Sequence, residues 1–230
     1  MTQLTFDLCQ PAALGRSDFL ASDSNAEAVC WIDRWPDWPS AALVLHGPPG
    51  CGKTHLAHLW CERASAVILA GERLEEGTLS HVFATGPHRV AVDDAERAPE
   101  HALLHLHNVL VEHRGSLLII ARQPPGTWKI ELGDLRSRLR AALAVEIRMP
   151  DDALLGSLLV KHFADRQLRV APEVIAYLTG RMERSFMAAA ALAARLDALA
   201  LSAGSPVTVP LARRVLADQP LQPGHESGVM

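Results

Sequence analysis

The chain has 230 residues, 49% of them apolar and 21% charged, which excludes intrinsic disorder over most of its length. A chain this long removes roughly 70% of its unfolded surface from water on folding, so a full core is affordable. Lys+Arg 22 against Asp+Glu 26 gives a formal charge of −4, which excludes a protein that coats DNA by bulk charge.

Residues 1–23 are a polar leader broken by Pro11 and Gly15, in which Leu4, Phe6 and Leu8 alternate. Residues 24–34 read as a helix stopped by Pro36 and Pro39. A βα alternation follows. Residues 41–46 form an apolar run ending in a Gly/Pro-rich turn, and residues 52–64 a helical pattern. Residues 65–70 and 89–92 are further strand candidates, the second closed by Asp93-Asp94. Residues 99–113 have helical period up to Gly115, and 117–121 and 143–147 complete five strands. Unbroken aliphatic strands between amphipathic helices predict a parallel sheet covered on both faces. After Pro150 the pattern is helical over 151–167, from Pro172, over 184–202 and over 210–217, with one strand-like stretch at 206–209. The expected organisation is a leader (1–13), an α/β nucleotide-binding domain (14–150), a small all-helical domain (151–218) and a flexible tail (219–230).

Cys9, Cys30, Cys51 and Cys61 form no CxxC pair, so the chain reads as reduced and cytoplasmic. No apolar run approaches the roughly 20 residues of a membrane span, and the N-terminus lacks the basic flank of a signal peptide.

The chemistry concentrates at Gly47-Pro48-Pro49-Gly50-Cys51-Gly52-Lys53-Thr54, which fits G-x-x-x-x-G-K-[ST] with a strand before it and a helix after. Glycines let successive backbone N–H groups turn towards a phosphate, and the helix N-terminus adds partial positive charge. Lys53 is placed to reach the β and γ phosphates of a nucleotide, with His55 beside the loop, and the Thr54 hydroxyl is a Mg²⁺ ligand. Strand 89–92 ends in the second anchor, with Asp93 as the Mg²⁺ partner and Asp94 as the group that orients an attacking water. His101/His105 and His55/His58 have helical spacing but no accompanying catalytic Glu, so they read as packing or surface residues rather than metal ligands. Arg136, Arg138 and Arg140 alternate between the fourth and fifth strands, which by spacing alone is a solvated face or a phosphate-contacting edge.

Together these features resemble the AAA+ ATPases, and within them the initiator DnaA branch, over roughly residues 14–217. The resemblance implies ADP or ATP with Mg²⁺ as cofactors and a helical lid. It puts the arginine finger on Arg138, within Asp134-Leu-Arg-Ser-Arg138-Leu, and the lid's nucleotide-sensing arginine on Arg184 of Arg184-Ser-Phe. Asp18-Phe-Leu with Asn25 is similar to the stretch lining the adenine pocket. The leader Gln3-Leu4-Thr5-Phe6-Asp7-Leu8 is similar to peptides that dock on the DNA polymerase III sliding clamp (beta subunit), through Gln3, Leu4, Phe6 and Leu8. A DNA-binding domain is not expected after the lid, so contact with DNA is mostly indirect, through the clamp. One departure stands out: Ala121-Arg122-Gln123-Pro124-Pro125 carries Arg122 where the family has the sensor 1 Asp. Weak intrinsic turnover with intact nucleotide binding is therefore expected. The expected function is negative regulation of replication initiation, by stimulating hydrolysis of ATP bound to DnaA. DnaA and the clamp are the expected partners, a second copy of the chain is a candidate, and no membrane is expected. The alternatives are an ATPase of the helicase-loader type and a non-catalytic nucleotide-bound scaffold.

Overall fold

The computed structural model describes residues 22–75 and 88–217. The chain divides at Pro150/Asp151 into two compact units.

The first unit holds α1 (Ala26–Arg34), β1 (Ala42–His46), α2 (Lys53–Ala64), β2 (Val67–Ala70), β3 (Arg89–Asp93), α3 (Glu100–Glu112), β4 (Ser116–Ala121), α4 (Gly133–Ala141) and β5 (Leu143–Glu146). All strand pairs are parallel, in the order β2-β3-β4-β1-β5. The aliphatic runs are unbroken because both faces of the sheet are buried. Leu43 and Leu45 of β1 and Leu118 and Ile120 of β4 face one core, shared with Ile32 of α1 and Leu56 and Trp60 of α2. Val44, Leu117 and Ile119 face the other, against Leu106 and Leu110 of α3 and Leu135 and Leu139 of α4. Period-two alternation thus splits each central strand between two hydrophobic layers. Trp60 is fully buried and stacks on Trp38 with ring centroids 5.4 Å apart.

Residues 133–141 are where the fold departs from an alternating arginine edge. They form α4, because Leu135 and Leu139, four residues apart, both reach the core. The strand-like stretch at 206–209 forms no strand either. Its last residue opens α8 (Val209–Ala217), where Pro210 sits in the first turn and its missing N–H is not needed.

The second unit is helical among its described residues: α5 (Asp152–Asp165), α6 (Pro172–Thr179), α7 (Phe186–Ala203) and α8. Asp151 caps α5 by accepting from the Leu154 N–H at 2.7 Å. Ser185 caps α7 in the same way through Ala188, at 3.0 Å. Helix α7 is 18 residues long with mean hydropathy 1.5, which by length and composition alone is enough to cross a membrane, although Arg195 and Asp197 interrupt its apolar run. Its Ala189, Leu192, Ala193, Leu196 and Ala200 follow helical period and are buried, and the helix packs on α5 and α8. Cys51 and Cys61 are free and buried, whereas Cys30 is disulfide-bonded, a departure from the fully reduced reading.

Candidate functional site

The chain leaves β1 at His46 and turns through Gly47–Gly52 into α2. Gly47, Gly50 and Gly52 take φ of +154°, +77° and +98°, conformations an L side chain rarely adopts. The N-cap of α2 is Gly52, and no side chain caps the helix N-terminus, the kind of end that can receive an anion. Lys53 is only 8% exposed, and its Nζ donates to the Gly47 and Pro48 carbonyls at 2.7 and 2.8 Å. The ammonium therefore sits inside the curl of the loop. Burial pushes the Cys51 thiol up, with Lys53 opposing. His46 is held below its ordinary imidazole value by burial, against the charge of Glu146.

Thr54 and Asp93 are 39 residues apart in sequence, yet the Thr54 hydroxyl donates to Asp93 Oδ2 at 3.0 Å. The other carboxylate oxygen of Asp93 accepts from the Asp94 N–H at 2.9 Å. A hydroxyl and a carboxylate meeting at the mouth of a phosphate loop are hard oxygen donors suited to Mg²⁺. That ion commonly takes one or two protein oxygens and completes its shell with phosphate and water. Among the described residues no cluster of three or more His, Cys, Asp or Glu could hold a metal ion by itself. Thr54 and Asp93 would hold the ion, which would supply charge neutralisation on the phosphates.

Asp94 follows with φ +49°, and Gly71 lies so close behind it that a Cβ there would come within 2.4 Å of the Asp94 carbonyl oxygen. Arg122, just beyond the end of β4, places Nε 3.5 Å from Asp94 Oδ1, and its own N–H donates to Glu96 Oε1 at 3.1 Å. His55 is exposed beside Thr54.

Helical geometry separates the three arginines of α4. Arg136 donates to the Ile130 carbonyl at 3.0 Å. Arg138 points elsewhere. It lines a cleft of about 510 Å³ with Ser40, His107, Asp134 and Ser137, and its guanidinium makes no hydrogen bond or ion pair with any described residue. His107 was not singled out from sequence. Its Nδ1 is buried without a partner, and burial, then the Arg138 charge, hold its imidazole below the ordinary value. Glu100 is a second residue sequence reasoning missed. It accepts from the N–H groups of Glu131 and Leu132, fixing the segment that leads into α4, and those bonds hold its carboxyl low. Neither carries a local motif.

In the helical unit Arg184 precedes α7 rather than opening it, and its Nη2 lies 2.8 Å from Asp152 Oδ1. Asn25, buried at the start of α1, accepts from the Ser22 N–H at 2.9 Å. Gln3, Leu4, Phe6 and Leu8, and Asp18 to Leu20, lie outside the described residues.

A five-stranded parallel sheet ordered 2-3-4-1-5, with a phosphate-loop motif after its β1 and paired aspartates closing β3, together with a helical C-terminal unit, is the AAA+ P-loop fold. Residues 152–216 match the Hda lid-domain family. The chain is 24% identical over 227 residues to the chromosomal replication initiator protein DnaA of Leifsonia xyli, which covers 87% of this chain and 48% of the relative. It spans about half the length of the curated relatives it matches. In structure it is similar to domain III of Thermotoga maritima DnaA, with TM-score 0.73 and 16% identity over 88% of this chain and 95% of that one. AMPPCP-bound DnaA from Aquifex aeolicus gives TM-score 0.67 and 16% identity, over 80% and 64%. The chain is thus similar to DnaA initiators over most of its length, and its helical unit to the Hda lid domain.

Proposed function

We propose that the chain is a negative regulator of replication initiation that binds an adenine nucleotide, docks on the sliding clamp through its leader, and stimulates hydrolysis of DnaA-bound ATP with Arg138. The observation that carries the reading is the exposed Arg138 guanidinium, which no hydrogen bond or ion pair to a described residue restrains, whereas neighbouring Arg136 is bonded. An arginine supplied to a neighbour's phosphates must be available to leave its own surface. The similarity to the Hda lid and to DnaA supports taking DnaA as the neighbour that this finger would serve. In this reading Lys53, the loop backbone, His55 and Arg184 serve the chain's own ADP or ATP, Thr54 and Asp93 its Mg²⁺, and Gln3, Leu4, Phe6 and Leu8 the clamp. The clamp would restrict inactivation to DNA already carrying it, since tethering raises effective concentration.

The test is ATP turnover by DnaA in the presence of clamp-loaded DNA and this protein. Arg138→Ala should lose the stimulation, an effect of roughly 10³–10⁵ for arginine fingers. It should keep the wild-type thermal shift with ADP. Full stimulation by Arg138→Ala refutes the finger, and absence of any ADP shift in the wild type refutes the nucleotide site.

A further inference from the structure

Helices α3 and α4 pack on one another, and with residues 40–42 they line the cleft of about 510 Å³ that holds Arg138. Two groups in this cleft each lack what the other has. His107 is 9% exposed, and its Nδ1 is shut off from water without a partner among the described residues. A neutral imidazole keeps one nitrogen as an acceptor, and folded chains leave few such atoms buried and unpaired. Arg138 presents a planar fork of N–H donors and spends none of them on a described residue. The two lie near enough that the Arg138 charge, after burial, holds the imidazole low. Asp134, one turn before Arg138 on α4 and in the same cleft, forms no ion pair with it.

Resting on the reading of Arg138 as the arginine finger, we infer that His107 is its positioning residue: the neutral Nδ1 accepts one N–H of the guanidinium and leaves the rest of the fork for a neighbouring molecule's phosphates. A neighbour seated on Arg138 strips water from the cleft, so the fork must then be aimed by protein. A neutral acceptor does this without cancelling the charge that the phosphates need, whereas a carboxylate such as Asp134 would pair with it. Arg138 is exposed and unrestrained, so a change of rotamer brings it to the ring. Protonation of His107 would undo the arrangement, by filling the lone pair and setting a second cation beside the first. The charged groups that share the cleft with His107 are Arg138 and Asp134, both on α4. Residues 40–42 bring none, and on α3 the neighbours one turn away, Leu103, Leu104, Leu110 and Val111, are apolar.

The test is ATP turnover by DnaA with clamp-loaded DNA and the full-length chain, titrated to saturation so that maximal rate and half-maximal concentration separate. His107→Phe keeps a ring without an acceptor. It should lower the maximal rate about tenfold, the scale of one hydrogen bond to a charged group, at unchanged half-maximal concentration. His107→Gln restores an acceptor and should recover most of the loss. Wild-type stimulation should fall as pH drops below 6.5, since burial and Arg138 set the folded His107 beneath that value, whereas His107→Gln should lack this fall. A wild-type maximal rate in His107→Phe, or a loss that His107→Gln does not recover, overturns the inference. If His107→Phe loses its ADP thermal shift, and with it the fold, the pH comparison decides: wild type and His107→Gln falling alike overturns the inference. Stimulation that survives Arg138→Ala overturns the finger reading and the inference with it. Loss in Arg138→Ala beside full stimulation by His107→Phe overturns the inference alone.

Discussion

At the residue scale, the phosphate loop depends on positions where a side chain has no room. A Cβ on Gly47 would lie 2.0 Å from the Ile147 carbonyl oxygen, in a φ of +154°. Gly47 also offers its carbonyl to Lys53. Gly47→Ala must push the loop away from the segment after β5 and release Lys53 together. It should destabilise by roughly 1–3 kcal/mol and abolish the ADP thermal shift, checked by chemical denaturation with and without ADP. The arginines of α4 show the same dependence on geometry. Arg138→Lys should fail nearly as badly as Arg138→Ala, because an ammonium cannot bridge phosphate oxygens with a planar fork. Arg140→Ala is the cleaner control, since Arg136 also secures Ile130.

At the element scale, α7 shows how an apolar helix is used here. Leu196 is fully buried on the stripe that includes Leu192 and Ala200, whereas Leu201 on the same helix is 82% exposed. Leu196→Ala removes buried methyl groups and leaves a cavity, so it should cost about 2–5 kcal/mol. Leu201→Ala should stay within about 0.5 kcal/mol of wild type. Urea unfolding followed by circular dichroism distinguishes them; equal costs would mean that α7 is not packed through that stripe. Helix α4 makes a related point. Its arginine-rich sequence reads as surface, and only the burial of Leu135 and Leu139 reveals a core helix.

At the scale of the whole molecule, three histidines link stability to pH. Burial lowers His46, His107 and His162 from the ordinary 6.5. Above 6.5 these rings are neutral folded or unfolded and do not alter the balance. As pH falls below 6.5 the unfolded chain takes up protons that the folded one resists, so stability drops, and it levels off beneath the folded values. The melting temperature should therefore fall on acidification from pH 7.5 into the range below 6.5. His107→Asn should flatten part of that slope. A slope unchanged in the variant would remove His107 from the linkage.

The class of protein was legible in the sequence because its signals are local. Eight consecutive residues, Gly47 to Thr54, encode a backbone curl, and unbroken aliphatic runs encode strands buried on both faces. The paired aspartates closing β3 were equally legible, since carboxylates at strand ends need only neighbours in sequence to be recognised. What joins these pieces was not. The Thr54–Asp93 bond, the Arg122–Asp94 pair, the Glu100 clamp on residues 131 and 132, and the shared cleft of His107 and Arg138 each join separate elements. Sequence fixes a residue's chemical type and its place along a helix or strand. Which oxygen meets which cation follows from strand order, and strand order is decided only when two hydrophobic layers close over the sheet.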